Sequence, residues 1–311
     1  MAAFTTNMTG SVALDDNAVV AFTQAFILES EQAQVLDANV VSIQENINAK
    51  SFNFPRFGTL APVTSALTEL DDPVSTALAD SEIIILPLEY GNVVTTTKLS
   101  NLQRGGRTDV AAAALVGRNA GRSQDKICML EMDTVGGGQT IITAASEAAL
   151  VATDVVTGAF LETAYNKLAR ASIPAIGDQY IMVAHDDVIS DIREDAAASG
   201  GWTDINKYGA ADRVLQNEVG MYKGFRILRQ NDATLTADAG AANVDSYRSY
   251  FVGSNAVGKA VSQPAGLTIT GPYDKLNRFL NIGWYGVFAY QIVEANALVL
   301  GISASSRGAN V

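Results

Sequence analysis

Residues 108–132 read TDVAAAALVGRNAGRSQDKICMLEM. Thr108 and Asp109 suit a helix N-terminus, because a short side-chain oxygen can accept from the first free backbone N–H groups. The block Ala111 to Ala114 and the straight-chain residues after it are strong helix formers, and Gly136, Gly137 and Gly138 stop the run. The stretch predicts one helix of about 25 residues, roughly 37 Å long. Its apolar positions are small and sparse, so alone it would bury little. It needs a broad platform beneath it.

Upstream, residues 1–14 are rich in Thr, Ala, Ser and Gly and show no period, which suits an extended arm that needs outside support. Asp15, Asp16 and Asn17 open a helix of about 20 residues with Val19, Phe22, Phe26 and Ile27 on one face. From Lys50 the period becomes two. Phe52 and Phe54 share a face, and Pro55 marks an edge strand. Gly58 to Glu82 has no amphipathic period and reads as a long loop. Ile83 to Tyr90, with Pro87 inside it, and Val93 to Thr97 are β-rich. Two strands around an insertion of about 25 residues make a hairpin of the size that usually carries function.

Downstream, a second helix is expected from Thr153 to about Ala171, with Val156, Phe160 and Leu168 placed for burial. Strands are expected at Tyr180–Ala184, Gly224–Leu228 and Tyr250–Val252, and helices from about Asp187 and over Asn255–Val261. Pro264 reads as a boundary. Leu267–Ile269, Trp284–Val293 and Ala297–Ser303 read as closing strands, the last two as a hairpin around Glu294–Asn296. There is no internal repeat.

Composition narrows the function. Apolar residues make up 48% and charged residues 17% of the 311-residue chain, which fits a folded protein with much surface hidden, in part by partners. The formal charge of −12 repels nucleic acid and anionic membranes, which disfavours a sequence-reading nucleic-acid binder but not a container whose acidic wall does not stick to DNA. Cys128 is the only cysteine and His185 the only histidine, so disulfide frameworks and most zinc sites lack ligands. No run of about 20 charge-free apolar residues is present.

The order of parts resembles the tailed-phage major capsid family, the Hong Kong 97-type α+β fold: a loose arm, a helix, a long two-stranded loop, a long Ala-rich helix, a compact mixed unit and closing strands. Val219, Gly220, Gly224, Phe225, Arg226 and Ile227 look like the family's Gly-rich strand. Trp284, Tyr285, Gly286, Val287 and Ala297, Leu298, Val299 look like its terminal strands. The resemblance implies an N-terminal arm and helix over 1–47, an extended loop hairpin over 48–98, a peripheral domain with the spine helix over 99–171, an axial domain over 172–265 and peripheral strands over 266–311. It further implies self-assembly into hexamers and pentamers of an icosahedral head enclosing double-stranded DNA. The virion would be built in the host bacterial cytoplasm, with a portal and a possible decoration protein as partners. Some family members crosslink the loop through lysine. Gly58 to Glu82 contains none, so that bond is not expected. Only about 14 residues precede the first helix, which leads us to expect a separate scaffolding protein or a scaffold-independent route.

Candidate intersubunit residues are Phe52 and Phe54 on the hairpin, the acidic loop residues Glu69, Asp71 and Asp72, and the stripe Arg118, Arg122 and Lys126 at i, i+4 and i+8 on the long helix. The leading reading of the stripe is a solvated face, ahead of pairing with the acidic loop residues Glu69, Asp71 and Asp72 of a neighbour, and a contact with packaged DNA stays open. His185, Asp186 and Asp187 have the composition of an acid/base or metal cluster, but Asp186 or Asp187 is better placed as a helix cap. The GGGQT of residues 136–140 lacks the lysine of a phosphate loop and reads as a helix stop. Cys128 reads as a small buried hydrophobe, and Trp284, Tyr285, Phe288 and Tyr290 as sheet core or interface. No catalytic, cofactor or metal residue emerges. The rival readings are an encapsulin-type nanocompartment shell of the same fold, a hydrolase with the loop as a lid, and another phage structural protein such as a tail tube subunit.

Overall fold

A computed structural model of the chain describes residues 16–46, 50–57, 80–105, 108–204, 217–241, 243–271, 274–276 and 278–307, with 60, 62–64, 66, 67, 72 and 75–78 from the long loop. In chain order the elements are α1 (Asp16–Ala33), α2 (Leu36–Asn39), β1 (Val41–Asn46), β2 (Phe52–Phe57), β3 (Asp80–Ile85), β4 (Leu88–Thr97), α3 (Lys98–Gln103) and α4 (Thr108–Met132). Then come β5 (Thr140–Ile142), α5 (Gly158–Arg170), β6 (Tyr180–Ala184), α6 (Asp186–Ser199), β7 (Thr203–Asp204), β8 (Glu218–Tyr222) and β9 (Phe225–Arg229). β10 (Leu235–Thr236), β11 (Ser246–Val252), β12 (Val257–Thr270), β13 (Phe279–Ile292) and β14 (Leu298–Ser303) complete it.

The strands form a four-stranded sheet, β1-β12-β13-β4, and a mixed sheet, β5-β14-β11-β6-β9-β8-β7, with β10 beside β11. β2 and β3 pair with each other as a separate ribbon. The long helix α4 supplies the link. It lies on β13, β4 and β12 with α1 alongside, so the broad platform its sparse apolar face needs is the first sheet. Its buried face is Ala112, Ala113, Val116, Gly117, Ala120, Gly121, Gln124, Asp125, Cys128, Met129 and Met132. One core joins α4 to the aromatic row Trp284, Phe288 and Tyr290 and to Ile181, Val183, Tyr250 and Leu300 of the mixed sheet.

A second core packs α5 and α6 on the other face of that sheet, through Leu161, Leu168, Val188 and Ile192. β6 shows why both faces are covered. Ile181 and Val183 face the first core while Tyr180, Met182 and Ala184 face the second, the alternation of a strand buried on both sides.

Several expectations are corrected. Asn255–Val261 is not a helix: Val257–Thr270 is the long strand β12, held by β1 on one side and β13 on the other. Tertiary pairing overrides the local helical spacing. Pro264 is not a boundary but sits inside β12, where the register slips between Gln263 and Gly266; a bulge is where a strand tolerates a residue without N–H. β13 and β14 do not form a hairpin. β13 pairs with β12 and β4, whereas β14 crosses to the mixed sheet beside β11 and β5. The expected helix from Thr153 starts at Gly158, so Val156 is buried ahead of it and not on it. Strand β1 went unread, and Ile27 is exposed while Phe22 and Phe26 are buried. The Thr108 N–H is taken by the Asn101 side-chain oxygen at 3.2 Å, so α3 caps α4.

Candidate assembly surface

The β2–β3 ribbon runs in register from Phe52 opposite Ile85 to Phe57 opposite Asp80. Its base is anchored. Phe54 packs with Ile85, Ala260 and Val293, and the Phe52 ring stands edge-on to it at 4.7 Å. The two phenylalanines share a face, as period two requires. Beyond the base the apolar side chains have no core to enter: Leu60, Val63, Leu67, Leu78, Ile84, Leu86 and Leu88 are all exposed. A two-stranded ribbon is marginal in water by itself. Just past it, β4 is the outer strand of the first sheet with Val93 and Val94 exposed, and Leu99 and Leu102 of α3 are 65% and 70% exposed. Apart from Ile85 at the anchored base and the half-buried Ile83 and Tyr90, the apolar residues named along this stretch turn outward, a pattern that marks contact surfaces.

Glu69 and Asp71 lie outside the described residues, and Asp72 is exposed. The basic stripe has partners in its own chain. Arg118 Nε and Nη2 both donate to Glu29 of α1, at 3.0 and 2.7 Å. Arg122 grips Asp232 with two donors, Nε at 2.7 Å, and holds that carboxyl below its ordinary range. Lys126 Nζ donates to the Asp232 carbonyl at 3.1 Å and to Thr234 Oγ1 at 3.3 Å. The stripe therefore pins α1 and the turn after β9 to successive turns in the middle of α4.

Beneath this surface lies a polar joint that the sequence reading missed. Asp125, 1% exposed, accepts from the N–H groups of Val35 and Leu36 at 2.8 and 3.2 Å and from Gln230 Nε2 at 2.7 Å. Burial pushes its carboxyl up to about 7, against the pull of the two backbone donors. Nearby, Lys259 pairs with Asp37 and donates to Gln124 Oε1 at 3.1 Å, while Tyr290 donates to Asp37 at 2.8 Å. Lys259 also lies 5.7 and 5.3 Å from the ring centres of Phe288 and Tyr290. One signal was available: Gly121, Asp125, Cys128 and Met132 fall on one helical face, and a carboxylate there must be buried with partners.

At the only histidine, His185 is itself the N-cap of α6. Its Nδ1 accepts from the Asp187 N–H at 3.2 Å, and Tyr247 donates to Asp187 at 3.0 Å. The cap belongs to His185 rather than to Asp186 or Asp187. No group of three or more metal-ligating side chains is found among the described residues. Cys128 is fully buried, as expected.

No protein-family model and no curated protein matches the sequence. Solved structures do. The capsid protein of Ralstonia phage GP4 superposes with a TM-score of 0.75 over 100% of this chain and 97% of its own, at 13% identity. The chain has the Hong Kong 97-type capsid fold. The same capsid fold in cyanophage Pam1 gives a TM-score of 0.64 at 14% identity, covering 86% of this chain and 90% of that one. In the head of Helicobacter pylori bacteriophage KHP40 it gives 0.65 at 11%, covering 88% and 89%. The encapsulin of Synechococcus elongatus matches less closely, 0.58 at 10% identity over 98% and 95%. Across the Hong Kong 97-type fold at these identities, the path of the backbone is common and the side chains are not.

Proposed function

We propose that the chain is the major capsid protein of a tailed phage, a structural subunit whose activity is to bind copies of itself. The observation that carries this reading is the end-to-end superposition on a phage capsid protein, covering 100% of one chain and 97% of the other. The exposed apolar ribbon, β4 edge and α3 support it. Ordering a residue costs roughly 1–2 kcal/mol of backbone entropy, a cost that burial of the exposed Leu60, Val63, Leu67 and Leu78 against neighbouring subunits would offset.

In this reading residues 1–47 are the arm and first helix, 48–98 the extended loop, and α4 the spine of a peripheral domain rejoined by β12 and β13, while the mixed sheet with α5, α6 and β14 is the axial domain, in place of boundaries at 171 and 265. Subunits gather as hexamers and pentamers around double-stranded DNA, with a portal as partner, assembly through a separate scaffolding protein or a scaffold-independent route, and a decoration protein as a further candidate partner. Phe52 and the acidic residues Glu69, Asp71 and Asp72 belong to the proposed intersubunit set; Phe54, buried against Ile85, Ala260 and Val293 of its own chain, supports the ribbon from beneath, and Arg118, Arg122 and Lys126 join the set only by adding to the partners they hold in their own chain. The lysine-free loop argues for a shell without loop-lysine crosslinks. Boiling particles in denaturant should release single chains of 32.7 kDa; a covalent ladder would contradict this.

A second reading, an encapsulin-type compartment, is favoured by the encapsulin superposition over 98% of the chain, though its TM-score of 0.58 is below the 0.75 of the phage capsid. Content separates the two. Particles made alongside the neighbouring genes should hold nuclease-protected DNA if the chain is a phage shell, and a cargo protein if it is a compartment.

A further inference from the structure

We propose that Asp125, Gln230 and Asp232 form a proton-operated relay that couples the seating of the α1–α2 corner on α4 to the Arg122–Asp232 pair at the surface. Three geometric facts carry it. Asp125 has three polar contacts, and each is with a donor: the N–H groups of Val35 and Leu36 and the amide nitrogen of Gln230. Gln230, itself buried, uses its other amide atom, Oε1, to accept from the Asp232 N–H at 3.3 Å. Asp232 in turn holds Arg122 through its carboxylate and Lys126 through its carbonyl.

The orientation of the Gln230 amide follows from its two neighbours. A carboxylate needs the NH2 and a backbone N–H needs the oxygen. A proton on Asp125 reverses the first requirement, because one carboxyl oxygen becomes a donor and must find an acceptor in a site without water's freedom. Half a turn of the Gln230 amide supplies that acceptor. The same half turn withdraws Oε1 from the Asp232 N–H and points an NH2 at the turn that carries the Arg122 and Lys126 contacts. Proton uptake inside the joint is thereby felt at the surface.

The surroundings favour such a proton. Burial is the largest influence raising the Asp125 carboxyl, and the charges of Asp37 from α2 and Asp232 from the turn after β9 act in the same direction. The other titratable or charged groups of the packed elements are Lys259 of β12, which is paired with Asp37; Tyr290 of β13, which donates to Asp37; and Arg122, Lys126 and Cys128 on α4 itself. His185 acts one step away, on Asp232. The carboxyl titrates higher in the folded chain than in the unfolded one, so its contribution to stability is complete below the ordinary aspartate range. That contribution is lost as pH rises to about 7.

Hydrogen–deuterium exchange of the full chain, corrected for intrinsic chemistry, tests the relay between about pH 5 and about pH 8. In the wild type, opening at residues 34–37 should rise by up to about tenfold per pH unit until about pH 7 and then level, while opening at residues 230–234, whose Gln230 contact is lost on proton uptake, should fall over the same range. Asp125→Asn, which mimics the neutral acid, should remove the slope from both segments. Gln230→Met, which cannot relay, should keep it at 34–37 and remove it at 230–234. A slope that survives Asp125→Asn overturns the proposal, as does a slope at 230–234 that survives Gln230→Met; should Asp125→Asn not fold, the second variant decides alone.

Discussion

Gly121 of α4 lies so close to Ser30 of α1 that a Cβ there would sit 2.6 Å from the Ser30 carbonyl oxygen, with the Ala33 methyl at 2.7 Å. One turn earlier Gly117 meets the backbone of Phe26 in the same way. Two glycines four residues apart thus let α1 settle backbone-to-backbone on the long helix. A methyl at either place has no room, and overpacking of a close seam costs about 1–3 kcal/mol. Gly121→Ala should lower stability by that amount in urea unfolding of the dissociated chain. An unchanged midpoint would mean that α1 does not sit on this seam.

These glycines also show what could be read in advance. The length and both ends of α4 were legible, because helix propensity and the glycine stop are local. The seam was not: Gly117 and Gly121 look like weak points of a helix until α1 is laid across them. Likewise Tyr180–Ala184 declared itself by β-branched and aromatic content, whereas Val257–Val261 looked helical until its partners β1 and β13 were known. The exposed ribbon was legible from Phe52, Phe54 and Pro55. The Asp125 joint was not, since its partners Val35, Leu36 and Gln230 are about 90 to 105 residues away along the chain.

Lys259 and Asp37 form a pair with the lysine side chain only 7% exposed. Removing one member of a buried pair leaves an uncompensated charge, at a cost of about 3–5 kcal/mol. Asp37→Ala should approach that loss, and it also strips an acceptor from Tyr290. The double change Asp37→Ala with Lys259→Met should recover part of it. A double variant less stable than Asp37→Ala alone would show that the pair is not the source of the effect.

The two carboxyls at the ends of the relay answer acid in opposite ways. Arg122 depresses Asp232, so the stability from that pair is present above the ordinary aspartate range and is lost as pH falls through the lowered value. Arg122→Leu should therefore flatten the loss of stability at the acid end while leaving the Asp125 slope nearer neutrality in place. Urea midpoints measured across the acid range for both chains check this, and identical acid limbs would speak against it.

His185 caps α6 through Nδ1. His185→Ala should cost about 1 kcal/mol, while His185→Asn, a good cap, should keep most of it. Equal losses in thermal unfolding of the two variants would assign the effect instead to the Tyr247 ring, whose centre lies 5.4 Å from that of His185.

Leu99 and Leu102 of α3 touch little within their own chain. Replacing both with Gln should change chain stability by no more than about 0.5 kcal/mol and should suppress assembly, read as loss of the fast-sedimenting species. Normal particles from the double variant would remove α3 from the contact surface.

The central claim is that this chain closes a shell with copies of itself. Electron microscopy of the purified full-length protein, alone and coexpressed with a scaffolding partner, tests it most directly. Closed particles of uniform size are the expected result. A stable monomer or dimer under every condition would contradict the account.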